Sequence, residues 1–466
     1  MRFPSVFLAA ALTLALTAAP PGWARDVPAE TPASGVIGVE DAYLSPKFWV
    51  SRLKAPDKVL LDRAAIDARN VELFKVDDSM HDLRAIPATL DRAQVAGWIE
   101  RRSERPSRKL YDEQGQPVPD GDIDAIVANL DLAAIPATQP TRYGMVLQRA
   151  ALRTFPTKLR VFRSDTDTDI DRFQESALFP GTPVVIVHSS GDGNWLFVVS
   201  PRYDAWIEAR YVAEGDADAI LAYAGKAPYR VVTGAKVRTV FTREQPQLSE
   251  LQMEMGVRVP LAEMAADKPV NGQYPYASWI VDLPVRSDDG RLGFAPALLQ
   301  RNTDNAADYL ALTRANIIRQ GFKFFGERYG WGHSYNARDC SGFVSEVYAS
   351  MGVQLPRNTS DQAVSPAFAR TVLGPGASAA ARRAAMDALD VGDLIYIPGH
   401  VMMMIGRIHG RPYVIHDTSG GSLDDGHGGI RSLHLNGVSV TPLEPLRFNA
   451  SSSYIDNITN IVRIHP

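Results

Sequence analysis

The sequence predicts a multi-domain α+β protein in which a mainly helical N-terminal region precedes two small β-barrels and a C-terminal domain of helices and strands. Apolar residues recur at helical spacing early in the chain, and the pattern changes to short strands in the middle. A third observation is the single cysteine, which opens a predicted helix and is followed by strands that carry histidines. The 466 residues are enough for about three or four such domains.

Residues 1–24 have the features of a secretory signal peptide. Arg2 supplies a positive charge, an apolar run covers 6–19, and small residues precede a cleavage site before Arg25. The run is too short to span a membrane, and no later stretch reaches about 18 uncharged apolar residues. We therefore expect an exported, soluble protein, periplasmic or secreted, whose residues 25–45 form a flexible leader.

The overall composition argues against a nucleic acid partner and shows that the single thiol has no disulfide partner within the chain. The formal net charge is −4, and no block of basic residues suited to a phosphate backbone is present, so we expect no nucleic acid partner. One cysteine cannot form an internal disulfide, although an exported protein works in an oxidising compartment. An unpaired thiol there is exposed to oxidation, so its retention requires a reason.

The region 46–145 is predicted to be mainly helical. Apolar positions at helical spacing occur in 61–74 and 91–104, and the segment 117–124, rich in proline and aspartate, interrupts the chain before a further short helix. No polar cluster converges in this region. We therefore predict a structural, stabilising role for it.

Two β-rich segments follow, and each is predicted to form a small barrel, the first at 146–215 and the second at 216–300. Strand patterns separated by turn residues occur at 182–190, 195–200, 205–212, 237–243, 257–263, 278–286 and 290–299. Most of the aromatic residues are expected to fill barrel cores. The alternative is that one or two of them line a groove shared with the C-terminal domain.

The C-terminal domain is predicted at 301–466, with a long helix over 304–328 and a second helix that begins at Cys340 and ends at Gly352. The apolar stripe of the second helix consists of Phe343, Val344, Val347, Tyr348 and Met351. A thiol at a helix N-terminus faces unpaired N–H groups, which lowers its pKa and favours the thiolate. The alternative is that Cys340 is a small buried hydrophobic residue.

Two predicted antiparallel strands, 400–408 and 413–418, place His400 and His416 side by side. Together with the thiol they have the composition of a thiol peptidase site. Cys340 would attack a carbonyl carbon, His400 would take and return the proton, and His416 would hold the His400 ring in the required tautomer. N–H groups in the first turn of the cysteine helix would stabilise the oxyanion.

A metal site is the alternative for the same segment. The possible ligands are His400, His409, His416, Asp417, Asp424, Asp425 and His427. No HExxH or paired-cysteine spacing is present, so we expect no metal and no cofactor.

These motifs resemble those of the NlpC-type peptidoglycan cysteine peptidases, which have a papain-like core. The resemblance is carried by Tyr-Gly-Trp-Gly at 329–332, Asp-Cys-Ser-Gly-Phe at 339–343, Leu-Pro-Arg at 355–357, Gln362, Val-Gly-Asp-Leu at 391–394, Gly-His-Val at 399–401 and His416. The order Cys, His, His matches the family. Some members carry an N-terminal stabilising region and two bacterial SH3-like barrels, so the resemblance extends over the mature chain.

The resemblance implies a peptidase that cuts γ-D-glutamyl bonds to diaminopimelate or lysine in cell-wall peptides, so that muropeptides are its partners. Members with two barrels tend to require a free N-terminal L-Ala amine. By resemblance, Asp339 would bind that amine, Tyr203 is the candidate that closes the pocket, and the pocket is shaped by Tyr329, Trp331, Ser341 and Arg357. Asp339 also suits the N-cap of the cysteine helix, and the two roles are compatible.

The chain departs from the family pattern in three places. His333 stands where the family usually has a second glycine, the alanine-rich segment 377–389 is long, and His400 and His416 are 16 residues apart, which a turn at 407–412 could absorb. Two other functions stay open: a non-catalytic peptidoglycan-binding protein with a decayed peptidase domain, and a wall amidase or acyltransferase on the same fold. The intact set of one cysteine and two histidines argues against the first.

Overall fold

The computed structural model describes residues 34–265, 267–301, 304–424 and 429–465. The predicted signal peptide and the first part of the predicted leader lie outside these ranges. Within the ranges, no helix has both the length and the apolar character needed to cross a membrane.

The N-terminal region contains short helices and strands that pack against the rest of the protein. The elements are α1 (Pro46–Val50), β1 (Val59–Leu61), α2 (Arg63–Val76), β2 (Thr89–Asp91), α3 (Arg92–Arg102), α4 (Asp120–Ala128) and β3 (Thr138–Pro140). Trp49 and Leu73 belong to the core of the C-terminal domain, whereas Val95 and Ile99 belong to the core of the first barrel. The region therefore stabilises two other parts of the molecule.

The first barrel is built on a seven-stranded sheet with the order β10-β4-β7-β8-β9-β5-β6. Its strands are β4 (Arg142–Val146), β5 (Ala150–Arg153), β6 (Gln174–Leu178), β7 (Pro183–Ser189), β8 (Trp195–Val199), β9 (Asp204–Glu208) and β10 (Val212–Gly215). The predicted hairpin is β7–β8. The segment 205–212, predicted as one strand, is divided by a 3-10 turn at Ala209–Tyr211.

The second β-rich unit follows the short helix α5 (Ala217–Tyr223). Its strands are β11 (Tyr229–Val232), β12 (Lys236–Arg238), β13 (Gln252–Glu254), β14 (Arg258–Pro260), β15 (Ser278–Arg286), β16 (Leu292–Gln300) and β17 (Asn305–Ala306). The predicted strands at 237–243 and 257–263 are shorter than expected. After the first of them ends at Arg238, the Thr239 hydroxyl donates to the carbonyl of Leu248.

The predicted helix over 304–328 is wrong in its length. The chain first forms β17 and then β18 (Leu312–Thr313), which pairs with β1, so only α6 (Arg314–Phe322) is an α-helix. Thr313 caps α6 by accepting from the N–H of Asn316. The long-range pairing of β18 with β1 therefore overrides a locally helical pattern.

The rest of the C-terminal domain places helices against an antiparallel sheet with the order β19-β27-β20-β21-β22-β25. The helices are α7 (Cys340–Ala349), α8 (Thr359–Val364) and α9 (Ala379–Asp387). The strands of this sheet are β19 (Ala369–Val372), β20 (Leu394–Ile397), β21 (His400–Ile408), β22 (Arg411–Thr418), β25 (Gly437–Pro442) and β27 (Asn460–Arg463). A second, three-stranded sheet has the order β24-β23-β26 and contains β23 (Gly421–Asp424), β24 (Ile430–Leu433) and β26 (Leu446–Arg447). The predicted apolar face of α7 packs in one core with Met403 and Ile415 of the sheet. The α+β architecture is confirmed.

Candidate active site

Cys340 is the first residue of α7, as the sequence predicts. Asp339 is the N-cap, and its Oδ1 atom accepts the N–H of Gly342 at 2.8 Å. The N–H groups of Cys340 and Ser341 lie in the first turn, so they have no acceptor within the helix. These groups point to the end of the helix that holds the thiol, where they can stabilise an oxyanion.

The histidines predicted to assist the thiol form a hydrogen-bonded pair. His400 Nε2 lies 2.8 Å from His416 Nδ1, and His416 Nε2 lies 3.1 Å from the Thr441 hydroxyl. If His416 carries its proton on Nε2 and donates it to Thr441, then His416 Nδ1 accepts from His400 Nε2. This tautomer leaves His400 Nδ1 unprotonated, as a general base requires. His416 can therefore orient the His400 ring, and Thr441 can set the tautomer of His416.

The backbone brings the pair close to the nucleophile. The backbone N–H of Val401, the residue after His400, is directed at the Cys340 sulfur and favours its thiolate form. The long spacing between the histidines is accommodated by the length of the strands. A two-residue turn of His409 and Gly410 joins β21 to β22. The pairing register of the two strands shifts by one residue between Met403–Ile415 and Gly406–Tyr413. The turn at 407–412 is therefore tight, and the extra residues lie in the strands.

The resting site holds a neutral thiol and a neutral imidazole. Burial, and to a smaller extent the adjacent Asp339 carboxylate, raise the pKa of Cys340 to about 12. The expectation of a lowered thiol pKa is therefore wrong, because desolvation outweighs the helix terminus. Burial also lowers the pKa of His400 to about 4. Proton transfer from thiol to imidazole must then accompany substrate binding or attack.

The Asp339 carboxylate is fully engaged within the protein. Oδ2 accepts from Arg357 Nη2 at 2.7 Å and from the N–H of Gly332 at 3.0 Å, and Oδ1 accepts from the Ser341 hydroxyl at 3.2 Å in addition to Gly342. Burial alone would raise the pKa of Asp339, but the Arg357 guanidinium, His333 and the Gly342 N–H together outweigh burial and hold the pKa at about 2. Asp339 is therefore ionised and already paired before any substrate amine arrives.

The loop before α7 is held in an uncommon backbone conformation. Gly332, His333, Tyr335 and Asn336 all have positive φ, between 55° and 67°. At Gly332 a Cβ atom would lie 3.0 Å from Gln174, so a side chain there would collide with the first barrel. Such strain persists only where the surroundings impose it.

His333, which departs from the family pattern, is a buried link between two ion pairs. Its Nδ1 accepts from Arg357 Nη2 at 3.1 Å, so its Nε2 carries the proton that bonds Glu346 Oε1 at 3.2 Å. Burial and the neighbouring Arg357 lower its pKa well below the usual range. The ring is thus a neutral spacer, and it fills the space that a glycine would leave open.

The other predicted pocket residues lie on two sides of the hydrogen-bond network formed by Asp339, Arg357 and His333. Tyr329 is buried, and burial raises its pKa, as do the neighbouring Cys340 and Asp339. The Trp331 indole N–H donates to the Gln174 carbonyl at 3.0 Å. Arg357 also donates to the hydroxyls of Ser341 and Ser176, so it joins the peptidase loop to strand β6 of the first barrel.

Tyr203 lies on the barrel side, where its hydroxyl donates to Glu175 and accepts from Arg102 at 2.9 Å. It lines the same interdomain cavity as Ser176 and Arg357. The structure therefore brings Tyr203 close to the Arg357 network, but no hydrogen bond in the described part of the chain joins it to Asp339.

Residues that the sequence analysis missed hold the site together. Arg149 of the first barrel donates to the carbonyls of His333 and Ala337, at 2.7 and 2.8 Å, and to Glu254 Oε1 of the second unit at 2.8 Å. One guanidinium thus connects both β-rich units to the strained loop. No local motif marks such a residue, since its partners are distant in sequence.

Asp417, the residue after His416, is fully buried, and neither of its carboxyl oxygens has a hydrogen-bond partner. Burial raises its pKa well above 3.8, and nearby Asp339 and Glu327 act in the same direction, while Arg338 opposes them. Burial therefore favours the neutral form of this carboxyl group, which lies next to His416 on β22.

Replacing Asp417 with asparagine is expected to change how stability depends on pH. The pKa of Asp417 is higher in the folded state than in the unfolded state. The contribution of this carboxyl group to the free energy of unfolding is therefore complete below pH 3.8 and is lost as the pH rises towards the folded-state pKa. The unfolding free energy of Asp417→Asn relative to wild type should therefore increase above about pH 4, by at most about 1.4 kcal/mol per pH unit. Urea denaturation of both proteins from pH 5 to 8 measures this difference in unfolding free energy. A difference that does not change with pH would contradict a raised pKa of Asp417.

The metal alternative finds no support in the described residues, where no group of three or more His, Cys, Asp or Glu side chains is arranged to hold an ion. His409 lies in the turn at the far end of β21 from His400. Asp425 and His427 lie outside the described residues.

Comparisons with known proteins assign families to two of the domains. Residues 326–438 match the NlpC/P60 family, and residues 160–208 match an SH3 domain of the SH3b1 type. No curated protein matches the sequence. An NlpC/P60 endopeptidase from Photobacterium damselae subsp. piscicida superposes with a TM-score of 0.70 at 17% identity, over 89% of this chain and 96% of that one.

A second solved structure, an NlpC/P60 family protein from Bacillus cereus, gives a TM-score of 0.46 at 19% identity, over 69% of this chain and all of that one. At these identities the Photobacterium structure shows a shared fold. The chain therefore has a C-terminal domain of the NlpC/P60 type, with an SH3b domain before it.

Proposed function

We propose, from the premise that the chain carries a C-terminal NlpC/P60 domain preceded by an SH3b domain, that it is an exported cysteine endopeptidase of cell-wall peptides. The bond cleaved is the γ-D-glutamyl bond to diaminopimelate or lysine, and the preferred substrates begin with a free L-Ala. The observation that carries the proposal is the thiol of Cys340 at the start of α7, beside the hydrogen-bonded pair of His400 and His416.

The catalytic steps follow from the protonation states of the site. The Cys340 proton moves to His400 Nδ1 as the sulfur attacks the γ-carbonyl carbon, so the ion pair forms only along the reaction path. First-turn N–H groups of α7 stabilise the oxyanion. His400 then donates the proton to the departing amine, leaving a thioester. Water attacks the thioester with His400 as the base, and the free thiol returns.

The charge of the site favours a cationic substrate group. Asp339 raises the pKa of the Cys340 thiol, and a substrate ammonium beside this carboxylate would offset that effect. Tyr203 and Glu175 supply further acceptors on the barrel side. An unblocked L-Ala amine entering between the barrel and α7 would thus aid both binding and ionisation of the thiol.

The assay that tests the function uses L-Ala-γ-D-Glu-diaminopimelate with mass detection of the products. Release of L-Ala-γ-D-Glu and diaminopimelate is expected. Transfer of the acyl group to another acceptor, or cleavage at another amide, would identify an acyltransferase or amidase. Binding of the peptide without any product would identify a wall-binding protein with an inactive peptidase domain.

Blocking the free amine of the substrate is expected to lower kcat/KM less than it would if Asp339 had no partner in the protein. Because Arg357 already neutralises Asp339, an acetylated substrate loses one charge-assisted hydrogen bond without leaving a bare buried carboxylate. Such a bond contributes about 1.5–3 kcal/mol, so kcat/KM should fall about 10- to 100-fold. The measurement compares L-Ala-γ-D-Glu-diaminopimelate with its N-acetyl form. Equal values would reject amine recognition and favour activity on intact wall.

A further inference from the structure

A cavity of about 340 Å³ lies on the barrel-facing side of α7, apart from the catalytic residues. It is lined by the N-terminal region, both β-rich units and the C-terminal domain, including Phe74, Tyr203, Met255, Ser345 and Arg357. Cys340, His400 and His416 are not among its lining residues. Its volume is at the lower end of the range for small-molecule sites.

Arg202 lines this cavity and has no counter-charge. Its Nη2 reaches only the Pro356 carbonyl, at 3.4 Å, and its Nε is buried without a partner. The described part of the chain contains no ion pair that includes it, whereas the neighbouring Arg357 is paired with Asp339 at 2.7 Å. An arginine enclosed by protein usually has a carboxylate, so Arg202 is the exception at this interface.

The surroundings of Arg202 leave its positive charge without an ion-pair partner. The residue keeps intermediate accessibility although protein encloses it, because it faces the cavity. Burial and the positive charge of Arg357 lower the pKa of Arg202 to about 10, and it stays cationic at neutral pH. Glu346, whose negative charge acts on Arg202, is occupied by Arg338 at 2.8 Å and by His333 at 3.2 Å.

We propose that this cavity binds a carboxylate-bearing small molecule of amino-acid to dipeptide size, with the Arg202 guanidinium as its anion-binding group. A planar carboxylate matches the two parallel N–H donors of a guanidinium, and binding would supply the missing counter-charge. The cavity shares Tyr203 and Arg357 with the pocket proposed for the L-Ala amine but does not include the thiol, so anion binding can be measured independently of hydrolysis.

The test measures binding of glutarate and of its neutral analogue glutaramide to the full chain by isothermal titration calorimetry. Glutarate should bind at least tenfold more tightly than glutaramide, and Arg202→Met should weaken glutarate at least tenfold. Arg172→Met is the matched control, because Arg172 also has a buried Nε without a partner but does not line the cavity. It should leave glutarate binding unchanged.

A second variant and a second anion keep the test decisive. Arg202→Lys retains the charge but not the planar pair of N–H donors, so glutarate affinity should fall below that of wild type, though less than in Arg202→Met. The loss relative to wild type can be measured even if the methionine variant does not fold. Absence of glutarate binding to wild type, equal binding to wild type and both Arg202 variants, or inorganic phosphate binding more tightly than glutarate would each overturn the proposal.

Discussion

Replacing Cys340 with alanine is expected to abolish hydrolysis of L-Ala-γ-D-Glu-diaminopimelate while the protein stays folded. The sequence contains no other thiol that could replace Cys340 as the nucleophile. The rate should fall at least about 1,000-fold, to the background left by binding and the oxyanion donors. Product formation is followed by mass spectrometry over extended incubation.

The folded state of Cys340→Ala is checked by its thermal melting curve and circular dichroism spectrum. The substitution removes a single sulfur atom and leaves the Asp339 cap and its bond to Gly342 in place. A small loss of stability is expected, since one buried atom is removed. Turnover at the wild-type rate would refute the peptidase assignment, and loss of the native melting transition would leave Cys340→Ser as the variant to measure.

Replacing His400 and replacing His416 are expected to give two different losses of activity. His400→Ala should be as inactive as the cysteine variant, because no other described side chain can carry the proton between the thiol and the leaving amine. His416→Gln should retain weaker but measurable activity, about 10- to 100-fold below wild type, because His416 only orients the His400 ring. The measurement is kcat/KM for the same peptide.

The control for the histidine variants is His409→Ala, which alters the exposed turn between the same two strands. It should leave activity unchanged. Near-wild-type activity in both the His400 and His416 variants would show that other residues perform the proton transfer. Equal, complete loss in both would assign His416 a part in the chemistry beyond orientation.

The sequence by itself determined the elements that depend on neighbours along the chain. The apolar spacing after Cys340 is enough to predict α7 and its buried face, and the Gly/Asp turn is enough to predict the hairpin β7–β8. These predictions succeed because helix periodicity, capping and tight turns involve residues only a few positions apart. The two histidines are predicted for the same reason, since each lies on a strand with a clear local pattern.

The tertiary structure alone decided the charge state of the site and the extent of α6. The segment before α6 is held as a strand by β1, some 250 residues earlier in the chain. Asp339 is paired by Arg357, 18 residues away, and the strained loop is held by Arg149, 184 residues from its partner His333. Burial raises the pKa of Cys340 to about 12 although its helix position favours the thiolate. Desolvation and ion pairing depend on which distant segments of the chain are in contact, and a local sequence pattern does not predict those contacts.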